Sequence, residues 1–141
     1  VIEPAAGATR GLLVYLIDAY HEESVKDAKG NDTTRVVMKL HPRLAPFKVA
    51  VLPLIKKDGL PEIARDLVNS FMKAGINARY DEQHAIGKRY RRHDEVGTPY
   101  CLTVDGESKD DNCVTIRDRD TMQQERIPID KAIEIVNNRL K

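Results

Sequence analysis

From Lys48 onward the apolar residues alternate between two periods, and this alternation limits the possible architectures more than any single motif does. Lys48–Leu54 (KVAVLPL) is apolar on both alternations, as a strand buried on both faces must be. Asp58–Ala74 then places Leu60, Ile63, Leu67, Phe71 and Ala74 on one helical face, with Pro61 near the start and Gly75 just past the end. Ile76–Tyr80 returns to period two, and Gly87–Val96 reads as a short charged helix stopped by Gly97 and Pro99. Tyr100–Val104 and Cys113–Arg117 form a hairpin pattern across the polar loop DGESKDDN. Gln124–Ile127 adds a strand, and Asp130–Leu140 closes as a helix with Ile133, Val136 and Leu140 on one face. The order β-α-β-α-β-β-β-α implies an α/β layer fold, a mixed sheet of about five strands packed with about three helices.

The residues ahead of this unit read differently. Arg10–Tyr20 carries Leu12, Leu13, Leu16, Ile17 and Tyr20 at helical spacing, with Thr9 placed to cap it. His21–Thr34 is polar and weakly periodic, which predicts a linker or exposed excursion, and Arg35–Leu40 is β-like. His41-Pro42 and Ala45-Pro46 break regular structure, so the expected division is 1–20, a connector over 21–43, and a compact domain over 44–141. A chain of 141 residues with 41% apolar and 32% charged residues suits one such core. With no initiator Met and no signal-like start, the chain is expected to be part of something longer. No apolar run approaches the roughly 20 residues that a membrane helix needs.

Most catalytic signals are absent. Cys101 and Cys113 sit in β-like runs and read as small buried thiols of a reducing, cytoplasmic compartment. The four histidines show no ligand spacing, so no metal site is expected. Gly87-Lys88 lacks both the earlier glycine and the following hydroxyl of a phosphate loop. The basic residues are more informative. The net charge of +1 excludes a uniform basic coat, yet Lys88, Arg89, Arg91 and Arg92 crowd four cations into five positions. Such a knot suits an anion, or else a solvated face neutralised by Asp94 and Glu95. If Val114 and Ile116 face the core, Thr115, Arg117 and Arg119 share the opposite face, flanked by Asp118, Asp120, Gln123 and Gln124. Guanidinium forks bind phosphates and base edges, and Asp and Gln discriminate the edges of unpaired bases. A charge-paired surface strand would carry the same residue types.

Ile86–Pro99 (IGKRYRRHDEVGTP), Tyr100–Asp105 (YCLTVD) and Val114–Met122 (VTIRDRDTM) together resemble the anticodon-binding domain of glycyl-tRNA synthetases, a class II family. The resemblance covers roughly residues 44–141, and the threonyl, prolyl and histidyl enzymes share the architecture. Val1–Arg10 (VIEPAAGATR) and the helix after it resemble motif 3 of class II catalytic domains, a strand running into a helix, in the glycyl form E-P-S-x-G-x-x-R. The family usually has Ser where this chain has Ala5.

The resemblance implies a homodimeric parent enzyme that activates glycine with ATP and magnesium and then acylates tRNA(Gly). In that parent Arg10 would contact the ATP phosphates and Glu3 the glycine amino group. Motifs 1 and 2 are not in these residues, so the chain alone is expected to be inactive, with no cofactor of its own. Its own work would be to bind the anticodon stem-loop through Lys88, Arg89, Arg91, Arg92, Glu95, Arg117, Asp118, Arg119 and Gln124. The knot would position the backbone, while Arg117, Asp118 and Arg119 would discriminate bases. Further partners would be the rest of the catalytic domain, and no membrane. Rival readings are a non-catalytic relative such as the accessory subunit of mitochondrial DNA polymerase, the equivalent threonyl or prolyl domain, or a small-ligand α/β domain with an incidental basic patch.

Overall fold

The computed structural model describes residues 1–26 and 30–141. A five-stranded mixed sheet has the order β4-β3-β5-β6-β7, built from β3 (Val49–Pro53), β4 (Ala78–Tyr80), β5 (Tyr100–Val104), β6 (Cys113–Asp118) and β7 (Gln124–Pro128). β3 pairs in parallel with both β4 and β5, whereas β5–β6 and β6–β7 are antiparallel. The expected element order is therefore the observed one. An extra one-turn helix, α4 (Ser108–Asp111), lies within the hairpin loop. Asp105 Oδ1 starts that turn by accepting from the Ser108 backbone N and Oγ, both at 3.1 Å.

Both sheet faces are covered, for reasons visible in the strand periods. Val49 and Val51, Leu102 and Val104, Val114 and Ile116, and Ile127 turn to one side, where they meet α2 (Leu60–Lys73) and α5 (Ala132–Arg139). Leu60, Ala64, Leu67 and Phe71 supply the α2 stripe, and Ala132 and Val136 that of α5. On the other side Ala50, Leu52 and Cys101 pack against Ile86 and Tyr90 of α3 (Ile86–Val96). α3 ends at Gly97, whose φ of +85° accepts the left-handed turn, with its N–H donating to His93 O and Asp94 O.

The polar stretch at 21–34 is not a linker. β1 (Tyr20–Lys26) and β2 (Asp32–Met38) form an antiparallel hairpin in the register Tyr20↔Met38 to Lys26↔Asp32. Residues 27–29 of that stretch lie outside the described residues. Burial in β2 alternates, with Arg35 and Val37 inside, so the strand period is present but one of its core positions holds an arginine. Arg35–Leu40 is the part expected to be β-like, whereas Tyr20–Lys26 and Asp32–Thr34 are strand residues too polar for a hydropathy reading to find.

Helix α1 (Ala8–Ala19) precedes the hairpin and runs straight into it, the Lys39 N–H donating to Ala19 O at 2.7 Å. It begins earlier than its apolar spacing predicts, at Gly7 rather than after Thr9. Leu12, Leu13, Leu16 and Ile17 are exposed along it. The strand that a motif 3 pattern implies ahead of this helix is absent. Residues 1–7 are exposed and unpaired, because a strand needs a ladder partner and no described segment runs beside them. Among the described residues no helix is long and apolar enough to cross a membrane.

Candidate nucleic-acid interface

β3-α2-β4 turns to one side of β3 and β4-α3-β5 to the other, leaving α2 and α3 on opposite faces. Beyond the carboxyl ends of β3 and β5 such a reversal leaves a crevice, the usual ligand position in open α/β sheets. Here the crevice is a hollow of about 310 Å³ lined by Leu54, Ile86, Tyr90, Thr103, Asp105, Thr115 and Gln124. The strand register explains its floor. Thr103 lies opposite Thr115, Thr115 opposite Arg126, and Arg117 opposite Gln124, so all five point to the α3 side.

The walls are held by hydrogen bonds. Tyr90 OH and Thr103 Oγ1 share a bond of 2.6 Å. Arg126 donates through NH1 to Asp105 Oδ2 at 2.6 Å and through Nε to Asp111 Oδ2 at 2.8 Å. Burial alone would raise the Asp105 carboxyl, but the Arg126 guanidinium holds it below the usual carboxylate range. Arg89 donates to the carbonyls of Pro53 at 2.6 Å and Leu54 at 3.2 Å, fixing the rim at the end of β3. Lys56 and Lys57 are exposed in the loop just past that rim.

The basic knot therefore divides. Lys88 is exposed and Arg91 half-buried, and neither has a carboxylate partner among the described residues. Glu95 is exposed on the same helix. Arg92 donates to Asp81 Oδ2 at 2.7 Å. Arg89 is only 3% exposed and points inward, so it is not part of an open cationic face. Its position in α3, one residue before Tyr90, places it over the sheet rather than toward solvent.

The expectation for β6 needs a sharper correction. The parity is as expected, with Val114 and Ile116 to the core and Thr115 and Arg117 opposite. The opposite face, however, is partly open only at Cys113 and Thr115. At Arg117 it lies under α3, and that side chain is 6% exposed. Arg117 donates to both oxygens of Asp94, NH1 at 2.8 Å and NH2 at 3.0 Å, and stacks on Tyr90 at 4.8 Å from ring centroid to guanidinium carbon. Burial would depress the Arg117 pKa, but the Asp94 carboxylate raises it above the ordinary value. Arg119, 2% exposed, donates to Gly97 O at 2.8 Å and to Asp120. Neither arginine is displayed for base readout. Asp118 is half-buried and its Oδ1 accepts from the backbone N of Asp120 and Thr121, at 2.9 and 2.8 Å, shaping the loop. Gln124 is the exposed member of the expected set that borders the hollow.

Sequence reasoning missed Thr103, Asp105, Arg126 and the Lys56-Lys57 pair as parts of this surface. Strand parity would have found Arg126 from Thr115, but no spacing signals that Asp105 and Asp111 converge on it. It also missed Asp94, read as a solvated acid and in fact fully buried. Burial pushes the Cys101 thiol up to about 12, as expected of an inert thiol, whereas Cys113 is half-buried. His93 is buried with Nδ1 3.3 Å from Thr98 Oγ1, and burial lowers its pKa against the pull of Asp81. Among the described residues no group of three or more His, Cys, Asp or Glu could hold a metal ion.

Arg10 and Glu3 are exposed. Arg10 lines an open hollow of about 520 Å³ whose other walls are Ala5, Ala6, Gly7, Gly11, Val14 and Tyr15. One guanidinium among small and apolar groups offers neither a second phosphate donor nor carboxylates for magnesium. These residues by themselves do not fit a nucleotide with its metal.

Residues 48–139 match the family described as "Anticodon binding domain". The whole chain is 53% identical to a glycine–tRNA ligase of Rhodopirellula baltica and 51% identical to one of Treponema denticola, covering 26% and 31% of their lengths. A glycine–tRNA ligase of Corynebacterium glutamicum is 52% identical over 99% of this chain and 30% of its own. The chain thus spans about a third or less of these relatives. Among solved structures, a prolyl-tRNA synthetase from Cryptosporidium parvum, crystallised with L-proline and AMP, superposes with a TM-score of 0.68 at 20% identity. The match covers 83% of this chain and 30% of that one, and it shows the fold. With a sheet, helix placement and sequence that agree on this point, the chain belongs to the anticodon-binding domain family, in the form found in glycine–tRNA ligases.

Proposed function

We propose that this chain reads the anticodon stem-loop of tRNA(Gly) for a cytoplasmic, homodimeric ligase whose full-length form activates glycine with ATP and magnesium. The chain alone is expected to form no glycyl-adenylate, since motifs 1 and 2 are not in these residues. The observation that carries the reading is the hollow at the strand reversal, polar on its floor at Thr103, Thr115 and Gln124 and walled by α3, the helix that also carries Lys88 and Arg91, neither with a carboxylate partner among the described residues. An unstacked base needs hydrogen-bonding groups beside an aromatic or apolar wall, here Tyr90, Ile86 and Leu54. Its phosphates need cations nearby, which Lys88, Arg91, Lys56 and Lys57 supply. Arg89, Arg117 and Arg119 serve by holding the walls, and Arg92, Glu95 and Asp118 border the surface.

The test compares binding of tRNA(Gly) with that of the same tRNA carrying a different anticodon. Gln124→Ala is expected to narrow the gap by about 1–3 kcal/mol, the worth of a base-edge contact. Lys88→Ala is expected to weaken both tRNAs alike and to lower the salt slope by about one. The reverse pattern, or no binding by the wild-type chain at low salt, would overturn the proposal.

A further inference from the structure

Arg35 is the largest fully buried side chain among the described residues, at 1% exposure, and its guanidinium reaches three elements at once. Nε donates to Asp94 Oδ2 of α3 at 3.0 Å, NH1 to Glu23 Oε2 of β1 at 3.0 Å, and NH2 to the Arg119 carbonyl just past β6. Two of these acceptors belong to the sheet domain and one to the hairpin. Asp94 does not need Arg35 for neutralisation, because Arg117 already occupies both its oxygens. Glu23 likewise keeps Lys39 at 2.5 Å.

The hairpin otherwise meets the domain along α3, where Val37 of β2 is fully buried and Met38 and Leu40 close on Gly97. Apolar packing is non-directional, whereas the three hydrogen bonds of Arg35 fix one orientation. α1 enters β1 with no intervening residue, so its direction follows the hairpin. We infer that Arg35 is a positioning residue that locks the β1–β2 hairpin, and with it α1, in one orientation on the sheet domain. It thereby sets the offset between the RNA-reading hollow and the α1 end of the molecule. The consequence for charging rests on the function proposed above and on the resemblance of Val1–Arg10 and the helix after it to motif 3, which would join the α1 end to the catalytic part. The locking itself does not.

Arg35→Met strands no charge, because Asp94 and Glu23 keep their other partners, and Arg35→Gln retains two donors should the methionine variant not fold. Residual dipolar couplings of the 141-residue chain are expected to fit one alignment for hairpin and domain in the wild type and two in the variant. In the full-length ligase, glycine-dependent ATP–pyrophosphate exchange and binding of the isolated anticodon stem-loop should stay within about twofold, while kcat/KM for tRNA charging falls about tenfold or more, as misplacement of a reacting group predicts. Couplings that still fit one alignment, charging that is unchanged, or stem-loop binding that falls as far as charging would each overturn the inference. Failure of the wild type to bind the stem-loop would sink the functional reading instead, and the couplings would then decide the locking claim by themselves.

Discussion

At the scale of single residues, Asp94 carries the greatest weight. It is fully buried, and three guanidinium N–H groups from Arg35 and Arg117 converge on its two oxygens. Taking a carboxylate out of water is tolerable only when its charge and lone pairs are met, and removing the acid leaves two buried cations facing each other. Asp94→Asn is therefore expected to destabilise the chain by about 3–5 kcal/mol in urea unfolding, and Arg35→Met by less than half as much, since it strands no charge and leaves only the Arg119 carbonyl without its donor. Equal losses would show that the cluster is not centred on Asp94. This residue also marks what the sequence could not reveal. Parity along Val114–Arg117 is legible from two apolar positions, and it placed Thr115 and Arg117 on one face correctly. Whether that face meets water depends on an acid 23 residues away, and no local spacing records that.

At the scale of elements, the strands and helices from Val49 onward were legible because each buries a regular apolar stripe. Of the β1–β2 hairpin only the part from Arg35 was legible, because Tyr20–Lys26 and Asp32–Thr34 are mostly polar. α3 shows both outcomes, with its existence evident from its caps but its inward residues, Arg89, His93 and Asp94, hidden by their charge. Its C-terminal stop is a close approach as well as a turn. A Cβ on Gly97 would lie 3.0 Å from the Met38 carbonyl oxygen and 3.0 Å from Leu40 Cδ1, whereas at Gly75, with φ of +78°, it would meet open space. Gly75→Ala is expected to cost about 1–2 kcal/mol from the left-handed backbone alone. Gly97→Ala adds steric displacement of the hairpin, for about 2–5 kcal/mol in thermal or urea unfolding. Matching losses would mean that the hairpin does not press on this turn.

At the scale of the whole molecule, a net charge of +1 conceals a divided surface. Most arginines near the interface are spent inward, on Asp94, Asp81, Asp105, Asp111 and backbone carbonyls, and they stiffen the walls of the hollow. The charge-rich motifs suggested more solvent-facing cations than the fold displays, since Arg89, Arg117 and Arg119 are buried. In the proposed function the α3 side of the sheet, at the ends of β3 and β5, is the face that meets RNA. Amide chemical-shift mapping of the chain titrated with the tRNA(Gly) anticodon stem-loop checks this. Perturbations are expected to concentrate at Thr103, Asp105, Thr115, Gln124 and the start of α3, with α2 and α5 silent. Perturbations confined to the α2–α5 face, or none at low salt, would contradict it.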